Sequence, residues 1–133
     1  MSRLDPSISP DTAFFWQGVT EGRLLIQRCN ECGALRHPPR PMCPACNSLT
    51  WDTIESTGKG EVYSFVLPRH PRYPGFDDPH IAVLVELEEG TRLVSNLCDI
   101  DPDEVTVGMP VEVFFESFDG GLVLPQFRPA AQP

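Results

Sequence analysis

A chain of 133 residues, 41% of them hydrophobic, holds one modest core or a small module beside a compact one. Its formal net charge of −9 disfavours nonspecific nucleic-acid binding, which needs Lys and Arg against phosphates, and docking on an anionic membrane surface. No apolar run reaches the length of a membrane span, and fifteen prolines with ten glycines point to short strands and many turns.

The opening Met1-Ser-Arg-Leu-Asp-Pro has no apolar stretch of the secretory kind, so a cytoplasmic setting with reduced thiols is expected. Ser9-Pro10-Asp11 reads as a helix start: Ser9 caps, Pro10 suits the first turn and Asp11 favours the N-terminal dipole. The helix is expected to run to about Glu21 and stop at Gly22. Phe14, Phe15, Trp16 and Val19 make it rich in apolar bulk for one short helix, with a notch at Gly18. Two readings fit: a surface that binds a partner protein, or packing on the chain's own next module.

Residues 24–28 read as a strand that leads into Cys29-Asn-Glu-Cys32. Residues 34–37 return from it, 38–41 form a stiff proline bridge, and Cys43-Pro-Ala-Cys46 follows. Each Cys-x-x-Cys pair places two thiolates on one tight turn. Two such turns facing each other make a four-sulfur tetrahedral cage that suits Zn²⁺. Iron in the manner of rubredoxin uses the same ligands, and two disulfides satisfy the arithmetic. Zinc on Cys29, Cys32, Cys43 and Cys46 is the favoured reading. A cage closed by four thiolates leaves no open position for substrate, so the metal is structural. The span 23–50 is formally +3, through Arg23, Arg28, Arg36 and Arg40 against Glu31. It could meet an acidic partner face or a phosphorylated ligand, or simply offset the thiolates. Residues 49–54 read as the strand leaving this ribbon.

Gly58-Lys59-Gly60 reads as a hinge, and it lacks the spacing of a phosphate-binding loop. Beyond it the pattern is all-β. Strands are expected over 61–67, 80–87, 91–97, 111–116 and 122–127. A single helical turn at 101–105 separates the third from the fourth, and tight turns fall at Glu89-Gly90 and Asp119-Gly120-Gly121. Three strands, a short helical connection and two more strands is the order of an OB-fold barrel. The fold class is therefore mainly β: a helical segment (1–22), a rubredoxin-like zinc ribbon (23–57) and a five-stranded OB-fold barrel (58–133). Cys98 closes the third strand as a small apolar residue. His37, His70 and His80 are scattered, and no nucleophile with an adjacent base is visible.

The ordered combination of aromatic helix, paired Cys-x-x-Cys knuckles, "VELEEGTRLVSNL", "DPDEVTVGMPVEV" and "PQFRP" resembles the DUF35 family, from about Ala13 to Pro129. The resemblance implies a noncatalytic accessory subunit of an acyl-CoA-processing complex. Its implied partner is a thiolase-like enzyme, such as a steroid side-chain aldolase, in a hetero-oligomer whose CoA-ester entry path it helps to form. Nine arginines against one lysine lean toward the actinobacterial branch. Within that frame, Arg69, His70, Arg72, Tyr73 and Phe76 form a candidate CoA contact, since arginines meet phosphates and rings stack on a base. Asp77-Asp78 beside them would repel phosphate. Phe14, Phe15, Trp16 and Val19 are the candidate partner contacts. The alternative is a single-stranded nucleic-acid-binding module, opposed by Glu86, Glu88, Glu89, Glu112 and Glu116 on the barrel.

Overall fold

The structure is a computed structural model that describes residues 6–67 and 80–130. The candidate loop residues Arg69, His70, Arg72, Tyr73 and Phe76 lie outside the described residues.

The chain opens with a turn and then a helix, α1 (Ala13–Thr20), shorter than the sequence suggests. Ser9 does not cap it with its side chain. Its carbonyl instead accepts from Thr12 N at 3.1 Å and Ala13 N at 2.9 Å, while its own N–H donates to Thr12 Oγ1 at 3.0 Å. Pro10 thus occupies the second position of a turn that its fixed φ favours, and the helix begins only after Thr12. The C-terminus is as expected. Gly22 adopts φ 74°, Gly22 N donates to Val19 O at 3.0 Å and Arg23 N to Gly18 O at 2.8 Å. These two bonds satisfy the last carbonyls in a Schellman ending.

The ribbon is a three-stranded antiparallel sheet of β1 (Leu25–Cys29), β2 (Leu35–Arg36) and β3 (Trp51–Glu55), in the order β2-β1-β3. Next come β4 (Lys59–Val66), β5 (Ile81–Leu87), β6 (Arg92–Leu97), β7 (Pro110–Ser117) and β8 (Val123–Pro129). They close a barrel in the order β4-β5-β6-β8-β7. A 3₁₀ turn, Pro102–Glu104, lies between β6 and β7, capped by the Asp101 carboxylate on Asp103 N at 3.0 Å. This is the OB-fold topology. β6 and β8 run parallel and meet at one register pair, Leu97 with Phe127.

Strand β5 shows why the barrel closes. Ile81, Val83, Val85 and Leu87 are buried and alternate with half-buried residues, so every second side chain enters the core. Phe127 and Val111 complete it at 0% exposure. Gly60 lies inside β4, where the strand pairs with both β5 and β7. A Cβ there would overlap Glu86 O, and one on Gly58 would overlap Val113 Cγ1. The glycines expected as a hinge are therefore points of close backbone approach that let the barrel shut.

Helix α1 touches both modules, packing on β1 and β8. Its buried Phe15 and Val19 join Leu24 and Ile26 of the ribbon and the barrel interior in one cluster. Gly18 allows this approach, since a Cβ would come within 2.9 Å of the Leu25 side chain. A wedge between two modules can bury more apolar surface than a helix lying on one small sheet. That geometry accounts for the density of aromatic residues in so short an element.

Candidate functional site

The two knuckles are near copies of each other. Gly33 N donates to Cys29 O at 3.0 Å, and Asn47 N to Cys43 O at 2.8 Å. Cys29 N donates to Ala34 O and Cys43 N to Ser48 O, both at 2.9 Å. Gly33 and Asn47 each follow the second cysteine of a pair and adopt φ 77° and 66°. Glycine and asparagine are the residues that enter this left-handed region most easily. Their matching positions were a readable signal that the sequence reading passed over.

This geometry brings the four predicted ligands together. Cys29 Sγ lies 3.5 Å from Cys46 Sγ, and Cys32 Sγ lies 3.6 Å from Cys43 Sγ. All four sulfurs fall within 4.8 Å of one another. A tetrahedron with Zn–S bonds of about 2.3 Å has S···S edges of about 3.8 Å, so the cage has the size of a zinc site. Disulfides need sulfurs about 2.05 Å apart, and all five cysteines are free.

The electrostatics fit a cation at the centre. The Cys32 backbone N–H approaches Cys29 Sγ at 3.5 Å. That bond, against burial and with help from neighbouring donors, lowers the Cys29 pKa to about 6. The Cys46 backbone N–H likewise pulls Cys43 down. Cys46 receives a favourable backbone N–H from Ser48, but its thiol neighbours, Cys29 first, and burial push it up to about 12. Cys32 is raised in the same way, by Cys43 and burial against the Ala34 N–H. Four sulfurs this close cannot all be thiolates on their own. A dication among them makes all four charges favourable.

The ribbon is braced by a buried polar network absent from the sequence reading. Gln27 is 1% exposed and Arg36 6%. Gln27 Nε2 donates to Arg40 O at 2.9 Å, and Gln27 Oε1 accepts from Arg36 Nε at 3.1 Å and Arg40 N at 2.9 Å. Arg36 also reaches Arg40 O at 2.8 Å. The network ties the proline bridge between the knuckles to β1. Two of the other arginines are held by carboxylates: Arg28 pairs with Asp52 at 2.7 Å and Arg23 with Glu55 at 2.9 Å. Three of the four cations in the basic span are thus engaged within the chain.

The candidate partner residues divide. Phe15 and Val19 are 5% and 1% exposed and belong to the chain's own core. Phe14 and Trp16 are half-buried; Phe14 packs on Trp51 with ring centroids 5.0 Å apart. On the barrel face, the exposed Tyr63 ring is covered by the Arg92 guanidinium at 3.8 Å, itself paired with Glu86 at 3.2 Å.

A second feature is a groove of about 730 Å³ between α1, the His37–Pro39 segment and the outer faces of β5, β6 and β8. Phe15, Trp16 and His37 form an aromatic wall, with Phe15 5.0 Å from Trp16 and 5.3 Å from His37 between ring centroids. Burial pulls the His37 pKa below its ordinary value. His80, immediately before β5, also lines the groove. Its residues come from distant parts of the chain, so no local motif announced it.

Two family models match in succession: "ChsH2, rubredoxin-like zinc ribbon domain" over residues 16–52 and "ChsH2, C-terminal OB-fold domain" over residues 53–116. A "Probable enoyl-CoA hydratase alpha subunit" of Thermomonospora curvata is 50% identical over 125 residues, which is 94% of this chain and 39% of that protein. The chain therefore spans well under half of that relative's length. A "DUF35 domain-containing scaffold protein" of Pyrococcus furiosus is 37% identical over 86% of this chain and 90% of its own. A solved structure described as "Ltp2-ChsH2(DUF35) aldolase" superposes with a TM-score of 0.91 at 50% identity, over 96% of this chain and 100% of that one. The zinc-ribbon match and the four-sulfur cage agree: the cofactor of this site is zinc.

Proposed function

This chain belongs to the DUF35 family of zinc-ribbon and OB-fold proteins, and from that premise we propose that it is the noncatalytic accessory subunit of an acyl-CoA-processing complex. Its partner is a thiolase-like enzyme, such as an aldolase, bound in a hetero-oligomer. The observation that carries this reading is the match, over 96% of this chain at 50% identity, to a chain in a structure described as an aldolase. The site's chemistry supports it. A four-thiolate cage holds zinc with no coordination position left for substrate, so zinc here braces the ribbon and does not activate water.

In this reading the ribbon and barrel form a rigid unit, and α1 fixes the angle between them. The half-buried rings of Phe14 and Trp16 offer anchors of the kind that dominate protein interfaces. Arg69, His70, Arg72, Tyr73 and Phe76 provide the CoA contact, with the acyl chemistry on the partner. The protein works in the cytoplasm, where thiols stay reduced for zinc; among the described residues no helix is long and apolar enough to cross a membrane.

Reconstitution tests the proposal. A thiolase-like enzyme from the same organism is purified with and without this chain, and acyl-CoA turnover is measured. The rate should collapse without the chain and return on its addition. Full activity of the enzyme alone would overturn the accessory role.

A further inference from the structure

The groove beside α1 has a chemistry of its own. Its lining comprises apolar and neutral polar residues together with His37 and His80, and contains no Asp, Glu, Lys or Arg among the described residues. Burial favours the neutral form of the His37 imidazole. Among the described lining residues a phosphate-bearing ligand would find no Lys or Arg to replace its hydration. The volume, about 730 Å³, is in the range that small-molecule sites occupy.

The polar groups of the groove converge at the split between β6 and β8. These strands share a single register pair, Leu97 with Phe127. Above that point Ser95 Oγ spans the gap and donates to Pro125 O at 2.7 Å. Gln126 lies beside it, 2% exposed and lining the groove. Its Nε2 is buried and has no hydrogen-bond partner. Its Oε1 has only a long contact, 3.5 Å, with the Ser95 hydroxyl already committed to Pro125. A buried primary amide with unclaimed donors is costly in a folded protein and calls for a function. Turning the amide toward the groove changes a soft terminal torsion and gives up only that long contact.

We propose that this groove is a binding site for a neutral, largely apolar ligand bearing a carbonyl oxygen. The aromatic wall of Phe15, Trp16 and His37 covers the ligand's apolar face. Gln126 Nε2 donates to its carbonyl, so an occupant satisfies a donor that the fold leaves open. Among the described residues the lining offers no Lys or Arg to the phosphates of a CoA head group. This inference concerns the chain by itself; the Trp16 ring is also a candidate partner anchor, so a partner seated on it would cover this wall of the groove.

Trp16 lines the groove and supplies the readout. In the full chain carrying Trp51→Phe, Trp16 is the remaining tryptophan. Its emission is titrated with 5α-androstan-3-one, a flat apolar probe with one carbonyl, with the hydrocarbon 5α-androstane, and with coenzyme A. The ketone should give a saturable change, and coenzyme A none. Gln126→Met should weaken ketone binding about tenfold, the size expected for one lost hydrogen bond to a neutral group. It should leave hydrocarbon binding unchanged and not lower the melting temperature, since it removes the unpaired amide. Val94→Glu, at a groove residue 73% exposed and so harmless to the fold, should weaken both steroids. A flat response to the ketone, equal ketone affinity in Gln126→Met, or competition by coenzyme A would each overturn the proposal.

Discussion

Replacing Cys43 by serine removes one sulfur from a cage whose four ligands lie within 4.8 Å of one another. Cys43 is 0% exposed and, with Cys29, forms the buried side of the cage, while Cys32 and Cys46 form its exposed side. A structural zinc of this kind contributes on the order of 10 kcal/mol to folding. The ribbon's own apolar anchors are few. Leu24 and Ile26 are its fully buried aliphatic side chains, each worth about 1.5–3 kcal/mol. Apolar burial therefore does not replace the metal, and the ribbon should unfold in Cys43→Ser. The barrel has a separate supply of buried groups in Val83, Val85, Val111 and Phe127 and should persist. Atomic spectroscopy counts zinc per chain, and hydrogen exchange compares Leu25–Cys29 with Ile81–Leu87. The expected result is less than one zinc, fast exchange in the first strand and protection in the second. A zinc-free variant whose ribbon amides stay protected would refute the reasoning.

Gln27→Leu should destabilise the protein by roughly 3 kcal/mol in denaturant titration, because it leaves the buried Arg36 guanidinium and the Arg40 N–H without their carbonyl partner. Gly60→Ala places a methyl group against Glu86 O and should cost about 1–3 kcal/mol, with Ser64→Ala on the exposed side of the same strand near neutral. His37 has a folded pKa below its ordinary 6.5 because burial disfavours the charged ring. The unfolded chain therefore binds the proton more readily, so the stability due to the neutral ring is complete above about pH 6.5 and declines as the pH falls below it. Thermal melts of His37→Gln should show a shallower loss between pH 7.5 and 5.5 than the parent chain, and equal slopes would show that His37 does not contribute.

Much of the architecture was legible because its causes are local or periodic. The alternation over Ile81–Leu87 could place one face inward only as a strand, and the doubled Cys-x-x-Cys spacing fixed the cage. What escaped the reading is non-local. Ser9-Pro10-Asp11 carries the composition of a helix cap, but Ser9 and Thr12 bond each other and form a turn first. Gly58 and Gly60 looked like a hinge because glycine signals freedom; the neighbours that forbid a Cβ, Val113 and Glu86, lie far along the chain. Gln27 looked like a polar residue on a strand face, and only the return of the chain at Arg40 explains its burial. Gln126 similarly reads as an ordinary strand residue until β6 brings Ser95 beside it.

The central claim, that this chain serves a thiolase-like enzyme and carries structural zinc, is tested most directly by native mass spectrometry of the protein drawn from its own host. The account predicts a hetero-oligomer containing a thiolase-like subunit, with one zinc for each copy of this chain. A folded chain recovered alone, or one recovered without zinc, would contradict it.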